Sequence, residues 1–95
     1  MDLNINYEQT RSLGNKVISE AERLNSCVRS IDSINNQVAQ NWRGTDATKY
    51  VGALNNQIQN MAELAETIQA IGSYLIKAAN AYEQLAADHA NTIGN

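Results

Sequence analysis

The stretch Trp42-Arg43-Gly44-Thr45-Asp46 stands near the middle of the 95-residue chain and decides its fold. Gly44 can adopt the left-handed backbone conformation that ends a helix without a Cβ penalty. Thr45 or Asp46 can cap a second helix, and Asp46 also suits the positive end of that helix. A link of about two to four residues makes two long helices run antiparallel. We therefore predict an all-α helical hairpin with its turn at 42–45.

Upstream of the turn, mostly apolar and small residues follow a seven-residue repeat, the pattern of a helix that is buried along one face. This first stripe is Tyr7, Thr10, Gly14, Val17, Ala21, Leu24, Val28, Ile31, Asn35, Val38 and Trp42. Three further residues widen it: Leu13, Ile18 and Ile34. Asn6 is a favourable N-cap residue, and Gln9 takes the third position of a capping box. We predict a first helix over about 6–41.

Downstream of the turn, the same repeat continues over a longer segment. This second stripe is Ala47, Val51, Leu54, Ile58, Met61, Ala65, Ile68, Gly72, Leu75, Ala79, Tyr82, Ala86 and His89. Five further residues widen this second stripe: Tyr50, Leu64, Ile71, Ala78 and Leu85. Small residues recur every seventh position at Ala65, Gly72, Ala79 and Ala86, which predicts the close approach of another backbone. We predict a second helix over about 46–89, a frayed tail over 90–95, and one domain over 1–95.

The composition also favours a few long helices and excludes several functions. Proline and phenylalanine are absent, whereas sheet-rich folds of this size need many turns. The net charge is −3 and the basic residues are scattered, so no nucleic-acid partner is expected. The N-terminal sequence lacks the features of a signal peptide, and no apolar run approaches the ~20 residues of a membrane span. We expect synthesis in the cytoplasm and no direct membrane insertion.

A two-helix hairpin cannot cover its own wide apolar stripes. The part of each stripe that does not face the other helix remains exposed, well above the few hundred Å² that a soluble monomer normally exposes. A second hairpin laid across it would complete a four-helix bundle and bury upward of about 2,000 Å². We predict an obligate dimer, formed with itself or with a similar hairpin. Its predicted interface residues are Val17, Leu24, Val28, Ile31, Val38, Leu54, Ile58, Met61, Ile68 and Leu75.

No arrangement in the sequence suggests catalysis, a metal site or a cofactor. Cys27 and His89 are the only thiol and the only imidazole. In the predicted hairpin they lie roughly 40 Å apart, too far for a nucleophile and its base. Cys27 is expected to be a buried or half-buried apolar residue. Asn35 is either a buried residue that fixes the helix register or a half-exposed one. Trp42 is either a plug at the bundle end or a docking anchor for a partner.

A chain of this length with two long helices and Trp42-x-Gly44 near its middle resembles the WXG family of small type VII (ESX) secretion substrates, which are similar to the early secreted antigenic target. The resemblance covers the whole chain. It implies a hairpin that pairs into a four-helix bundle, is exported folded without a cleavable signal peptide, and is recognised by the membrane ATPase of the secretion machine. Trp42 and Gly44 match the first part of the family's export signal.

The second part of that signal, Tyr-x-x-x-Asp/Glu after the second helix, is not matched. Ala86 stands four residues after Tyr82, and Ala78 stands four residues after Tyr74. Tyr82 is therefore a weak candidate for export recognition. Length arithmetic for an antiparallel dimer nevertheless places Tyr82 within one or two helical turns of the partner chain's Trp42, so a composite site remains a hypothesis.

Two other functions fit the same sequence. The hairpin could be a cytosolic adaptor or chaperone that pairs with a larger secreted toxin, in which case the isolated chain would be poorly folded or promiscuous. It could also be a structural module that stacks into filaments, in which case its mass would grow beyond a dimer with concentration.

Overall fold

The computed structural model describes the backbone of residues 6–94 and the side chains of residues 6–90. It contains two α-helices, α1 (Tyr7–Asn41) and α2 (Thr45–Gly94), which form a hairpin. The predicted all-α hairpin is confirmed. The end predicted for the second helix at about 89 is wrong, because the backbone of α2 is helical as far as Gly94; the fraying predicted over 90–95 stays a prediction. Extending an existing helix is far easier than starting one, and glycine is a common residue at which helices end. Asn95 lies outside the described residues.

The start of α1 has the predicted cap. The backbone N–H of Gln9 donates a hydrogen bond of 2.9 Å to Oδ1 of Asn6. The N–H of Thr10 donates to the carbonyl oxygen of Asn6, also at 2.9 Å. The Asn6 side chain therefore satisfies the N–H of Gln9, which the first helical turn would leave without an acceptor, and α1 begins at Tyr7.

The turn consists of three residues, 42–44. The N–H of Trp42 still donates to the Val38 carbonyl oxygen at 2.8 Å, so the last helical hydrogen bond of α1 ends on the tryptophan. Gly44 has a φ of 122° and is the one residue of the described chain with a positive φ. The N–H of Thr48 donates to the Gly44 carbonyl oxygen at 3.1 Å, which puts Gly44 in the N-cap position of α2. The prediction that Thr45 or Asp46 caps α2 is wrong, because Thr45 is already helical.

The chain divides into two compact units, each built from a segment of both helices. The turn unit is Glu20–Thr67, and the terminal unit comprises the described residues of Met1–Ser19 and Ile68–Asn95. The single domain predicted over 1–95 stays a prediction. Among the described residues, neither helix has a stretch long and apolar enough to cross a membrane.

In the terminal unit, α1 and α2 meet backbone to backbone. A Cβ atom added to Gly14 would lie 2.9 Å from the carbonyl oxygen of Gly72, and one added to Gly72 would lie 2.8 Å from that of Gly14. Ala79 on the same face of α2 is fully buried. Beside this contact, the Arg11 guanidinium donates to Glu83 and to Asn80, each at 2.9 Å. The small residues of α2 thus admit the backbone of α1 within the same chain.

In the turn unit, the seam between the helices is filled by side chains. Its buried apolar residues are Ala21, Val28, Ala47, Ile58 and Ala65. One polar side chain, that of Asn35, is buried among them. Every member of the first stripe except Trp42 is buried or half-buried, and so is every member of the second stripe except His89. The seven-residue repeat therefore identified the contact face of both helices.

Candidate functional site

Trp42 is displayed at the turn. Its side chain is 44% exposed although it is the last member of the first stripe. Its ring lies 5.4 Å from the ring of Tyr50, with an angle of 35° between the planes. Tyr50 is itself 67% exposed. An aromatic pair that remains this accessible beside a tight turn is the type of anchor that protein partners bind.

A groove opens next to this aromatic pair, on one side of the turn unit. Its volume is about 440 Å³ and its walls are largely apolar. The lining residues are Asn35, Val38, Trp42, Tyr50, Ala53, Leu54 and Gln57. We call it the Trp42 groove. It has the size and the apolar character of a site that receives one or two large apolar side chains of another protein.

A second depression, of about 310 Å³, is also lined by Trp42. It is more polar, with the lining residues Ala39, Trp42, Ala47, Thr48, Val51, Gly52 and Asn55. Trp42 therefore forms a wall of both concave surfaces. Loss of its ring would open both at once, whereas loss of Tyr50 would affect the Trp42 groove alone.

Gly44 acts through its backbone. Nothing lies within 4 Å of the position that a Cβ atom would take there. Its φ of 122° is nevertheless a conformation that L side chains rarely adopt. The requirement for glycine thus comes from the shape of the turn and not from a close neighbour, and this turn sets where the Trp42 ring is displayed.

The predicted dimer-interface residues lie in the seam between α1 and α2 of one chain. Val28 and Ile58 are buried there, and the other eight are half-buried. None of the ten is among the large apolar residues that remain exposed. The exposed ones are Leu13, Ile71 and Tyr74 in the terminal unit, and Ile34, Trp42, Tyr50 and Leu64 in the turn unit. Most of these residues widen the predicted stripes, but none was predicted to lie in the dimer interface.

One face of the turn unit carries no charged residue. On α1 it comprises Cys27, Ser30, Ile34, Gln37 and Asn41, and on α2 Tyr50, Ala53, Gln57, Asn60, Leu64 and Thr67. All of them are exposed. Both rows follow the seven-residue repeat along the same edge of the seam, so they share one side of an antiparallel pair. We call this surface the uncharged face, and the Trp42 groove opens onto it.

Charged groups stand at the borders of the uncharged face. Asp46 lies at its turn end, one helical turn before Tyr50. Glu20 and Arg23 lie beyond Cys27, and they form an ion pair with each other at 3.0 Å. The regular spacing of uncharged residues is visible in the sequence and could have predicted this face, but most of its members are polar, so it does not form an apolar stripe.

The remaining candidates do not form a reactive site. Cys27 is exposed, so the prediction that it is buried or half-buried is wrong. It occupies the edge of the stripe, where the seam does not reach. His89 is also exposed, and Tyr82 is half-buried in the terminal unit. No group of three or more potential metal ligands occurs in the part of the chain that the structure describes.

The sequence of the chain was compared with models of known protein families. The family model described as "WXG100: Proteins of 100 residues with WXG" matches residues 2–86. The chain belongs to the WXG100 family. Trp42 and Gly44 are the tryptophan and the glycine of the WXG pattern in this WXG100 protein, so the family match includes the displayed turn. Neither a curated protein nor a solved structure matches the chain.

Proposed function

We propose that this WXG100 protein is a non-enzymatic substrate of a type VII (ESX) secretion system, made in the cytoplasm and exported without a cleavable signal peptide. The observation that carries the proposal is the exposed Trp42 at a glycine turn within a chain of this family. The turn serves as a recognition element, and the membrane ATPase of the secretion machine is the partner that it meets.

The Trp42 groove supplies the chemistry of that recognition. Tryptophan and tyrosine bury large areas at low conformational cost, and they dominate many protein interfaces. Trp42 and Tyr50 are already held in contact by the hairpin, so little ordering is needed when a partner binds. An apolar side chain of the partner would contact Val38 and Leu54, which line the groove. Tyr82 of a second hairpin remains a weaker contributor to recognition.

The uncharged face supplies the pairing surface of a four-helix bundle. Interface centres are depleted of charged residues, and this face carries none. A chain with a net charge of −3 meets its own copy most easily on a neutral surface, because no like charges then oppose each other. A stable interface needs about 800 Å² from each partner. Ile34, Tyr50 and Leu64 are its large exposed apolar side chains. We propose a homodimer, with a related hairpin as the alternative partner.

The secretion assay that tests the proposal compares culture supernatants. Strains carry the wild type, Trp42→Ala or Gly44→Ala, each with and without the secretion ATPase. Tyr74→Ala is the matched control, because Tyr74 is an aromatic residue that is 71% exposed and belongs to the terminal unit. We expect export to require the ATPase, to fall at least about tenfold for Trp42→Ala, and to persist for Tyr74→Ala.

Two outcomes would contradict the proposal. Export of the wild type without the ATPase would exclude type VII secretion. Equal export of Trp42→Ala and the wild type, at equal levels of folded protein in the cell, would remove Trp42 from the signal. Retention of the wild type in the cytoplasm together with a larger secreted protein as its bound partner would instead favour the adaptor function.

A further inference from the structure

Asn35 is an unusual residue in the seam of the turn unit. It is 1% exposed and is the largest side chain that is fully buried in the described chain. Its neighbours along the first stripe, Ile31 and Val38, are aliphatic. A leucine at this position would bury more apolar surface and would need no hydrogen-bond partner. The amide therefore contributes something that an aliphatic side chain would not.

The amide joins α1 to the beginning of α2 by two hydrogen bonds. Its Nδ2 donates to Oδ1 of Asn55 at 2.8 Å and to the backbone carbonyl oxygen of Val51 at 3.3 Å. A backbone carbonyl can only accept, so the atom that faces Val51 must be the nitrogen. Both hydrogens of the Asn35 amide are thus directed to α2, one to its backbone and one to a side chain a single helical turn further on.

These two bonds constrain a movement that the rest of the seam allows. Contacts between Ala, Val and Leu side chains are non-directional, so small sliding or rotation of one helix against the other changes their energy little. A hydrogen bond tolerates only a few tenths of an ångström and a limited angle. Buried asparagines in helical seams are known to select one alignment among several of similar packing energy.

The aligned segment is the one that carries the aromatic pair. Val51 directly follows Tyr50 in α2, and Trp42 is the stripe position one seven-residue repeat after Asn35 in α1. Asn35 also lines the Trp42 groove together with both aromatic residues. A shift of α2 along α1 would therefore change the distance between the two rings and the width of the groove.

We propose that Asn35 is a positioning residue: through Val51 and Asn55 it sets the separation of Trp42 and Tyr50 and thereby the shape of the Trp42 groove. The importance of that shape for export rests on the function proposed above, but the geometric role of Asn35 does not. It can be measured on the purified protein alone, because Trp42 is the single tryptophan of the chain and its signal reports only this site.

The test compares near-ultraviolet circular dichroism of Trp42 and the NMR signal of its indole N–H in four variants. Asn35→Leu removes the donor, and Asn55→Leu removes one acceptor from an exposed position. Asn55→Asp keeps an oxygen acceptor at the same place. Asn56→Leu is the matched control, an exposed neighbour on α2 with the same change of side chain. Far-ultraviolet circular dichroism and thermal unfolding show that each variant is folded.

We expect the tryptophan band to fall roughly twofold in Asn35→Leu and Asn55→Leu as the ring pair loses its fixed geometry, and the indole signal to broaden or split. Asn55→Asp and Asn56→Leu should keep the wild-type spectrum. Asn35→Leu should unfold at the same or a higher temperature, so that the spectral change is separated from stability.

The proposal would be overturned by a wild-type Trp42 spectrum in folded Asn35→Leu or Asn55→Leu, or by equal losses in Asn55→Asp and Asn55→Leu. Because Asn55 is exposed, its variants provide the answer even if Asn35→Leu does not fold. A changed spectrum in a chain whose Trp42→Ala variant is still exported would leave the positioning role intact and would remove only the function proposed for the groove.

Discussion

The terminal unit and the turn unit differ in how α1 packs against α2. In the terminal unit, Gly14 and Gly72 bring the two backbones together until no side chain fits between them. In the turn unit, side chains fill the seam, and Asn35 joins the helices by hydrogen bonds. The terminal unit exposes scattered apolar residues, whereas the turn unit exposes an aromatic pair, a groove and an uncharged face. Close backbone packing is thus a feature of the terminal unit, and the surfaces proposed for recognition are features of the turn unit.

The largest expected effect concerns self-association. Leu64→Asp places a carboxylate on the uncharged face, and an unpaired charge in an interface weakens binding by several kcal/mol. We expect the dissociation constant of the proposed dimer to rise about 100-fold or more. Leu13→Asp is the counterpart in the terminal unit, with a similar exposed fraction (47% against 52%). Sedimentation equilibrium of both variants measures the difference, and equal weakening would show that the uncharged face has no special role.

A smaller effect is expected from the glycine contact of the terminal unit. In Gly72→Ala, the new Cβ would meet the Gly14 carbonyl oxygen at 2.8 Å, and backbone cannot move aside as a flexible side chain can. We expect the free energy of unfolding to fall by about 2 kcal/mol. Gly52→Ala in the turn unit is the control, because nothing lies within 4 Å of its Cβ position.

In the control variant, Gly52→Ala, the free energy of unfolding should rise instead of falling. Alanine in place of an exposed helical glycine stabilises by about 0.5–1 kcal/mol. Urea unfolding of both variants gives the two changes directly. A destabilisation of Gly52→Ala as large as that of Gly72→Ala would show that the contact between Gly14 and Gly72 is not what distinguishes the terminal unit.

The smallest expected effect concerns the ion pair between Arg11 and Glu83. Their side chains are 30% and 47% exposed, so water and salt screen the attraction. A double-mutant cycle with Arg11→Ala and Glu83→Ala should give a coupling below about 1 kcal/mol, reduced further in high salt. A coupling of several kcal/mol would mean that the terminal unit depends on this polar contact as much as on its glycines.

The seven-residue repeat was sufficient to predict the hairpin and the contact face of each helix. The residue types at two positions predicted the N-cap at Asn6 and the positive φ of Gly44, because each depends on local stereochemistry. Gly44 was expected to end α1, but it caps the start of α2. The residues left exposed could not be predicted in the same way. Two helices can share a wide stripe in several ways, and the rotation of each helix decides whether a residue such as Ile34 is covered. For the same reason, Cys27 was wrongly expected to be at least half-buried.

The site was predicted in part. Trp42 and Gly44 were identified from the sequence, but the Trp42 groove was not, because it depends on which residues of α2 lie level with the end of α1. Asn35 was left between two interpretations, since a polar residue in an apolar stripe can be buried only if an acceptor faces it. The acceptors, Val51 and Asn55, stand 16 and 20 residues away along the chain.

The claim that recognition belongs to the turn unit is tested most directly by NMR. The labelled protein is titrated with the cytosolic part of the secretion ATPase, and the signals of both units are followed. We predict that the NMR signals of the Trp42 indole and of the Tyr50 and Ala53 amides shift or broaden first. The amide signals around Gly14 and Gly72 should not change. Shifts confined to the terminal unit, with an unchanged Trp42 indole, would contradict the account.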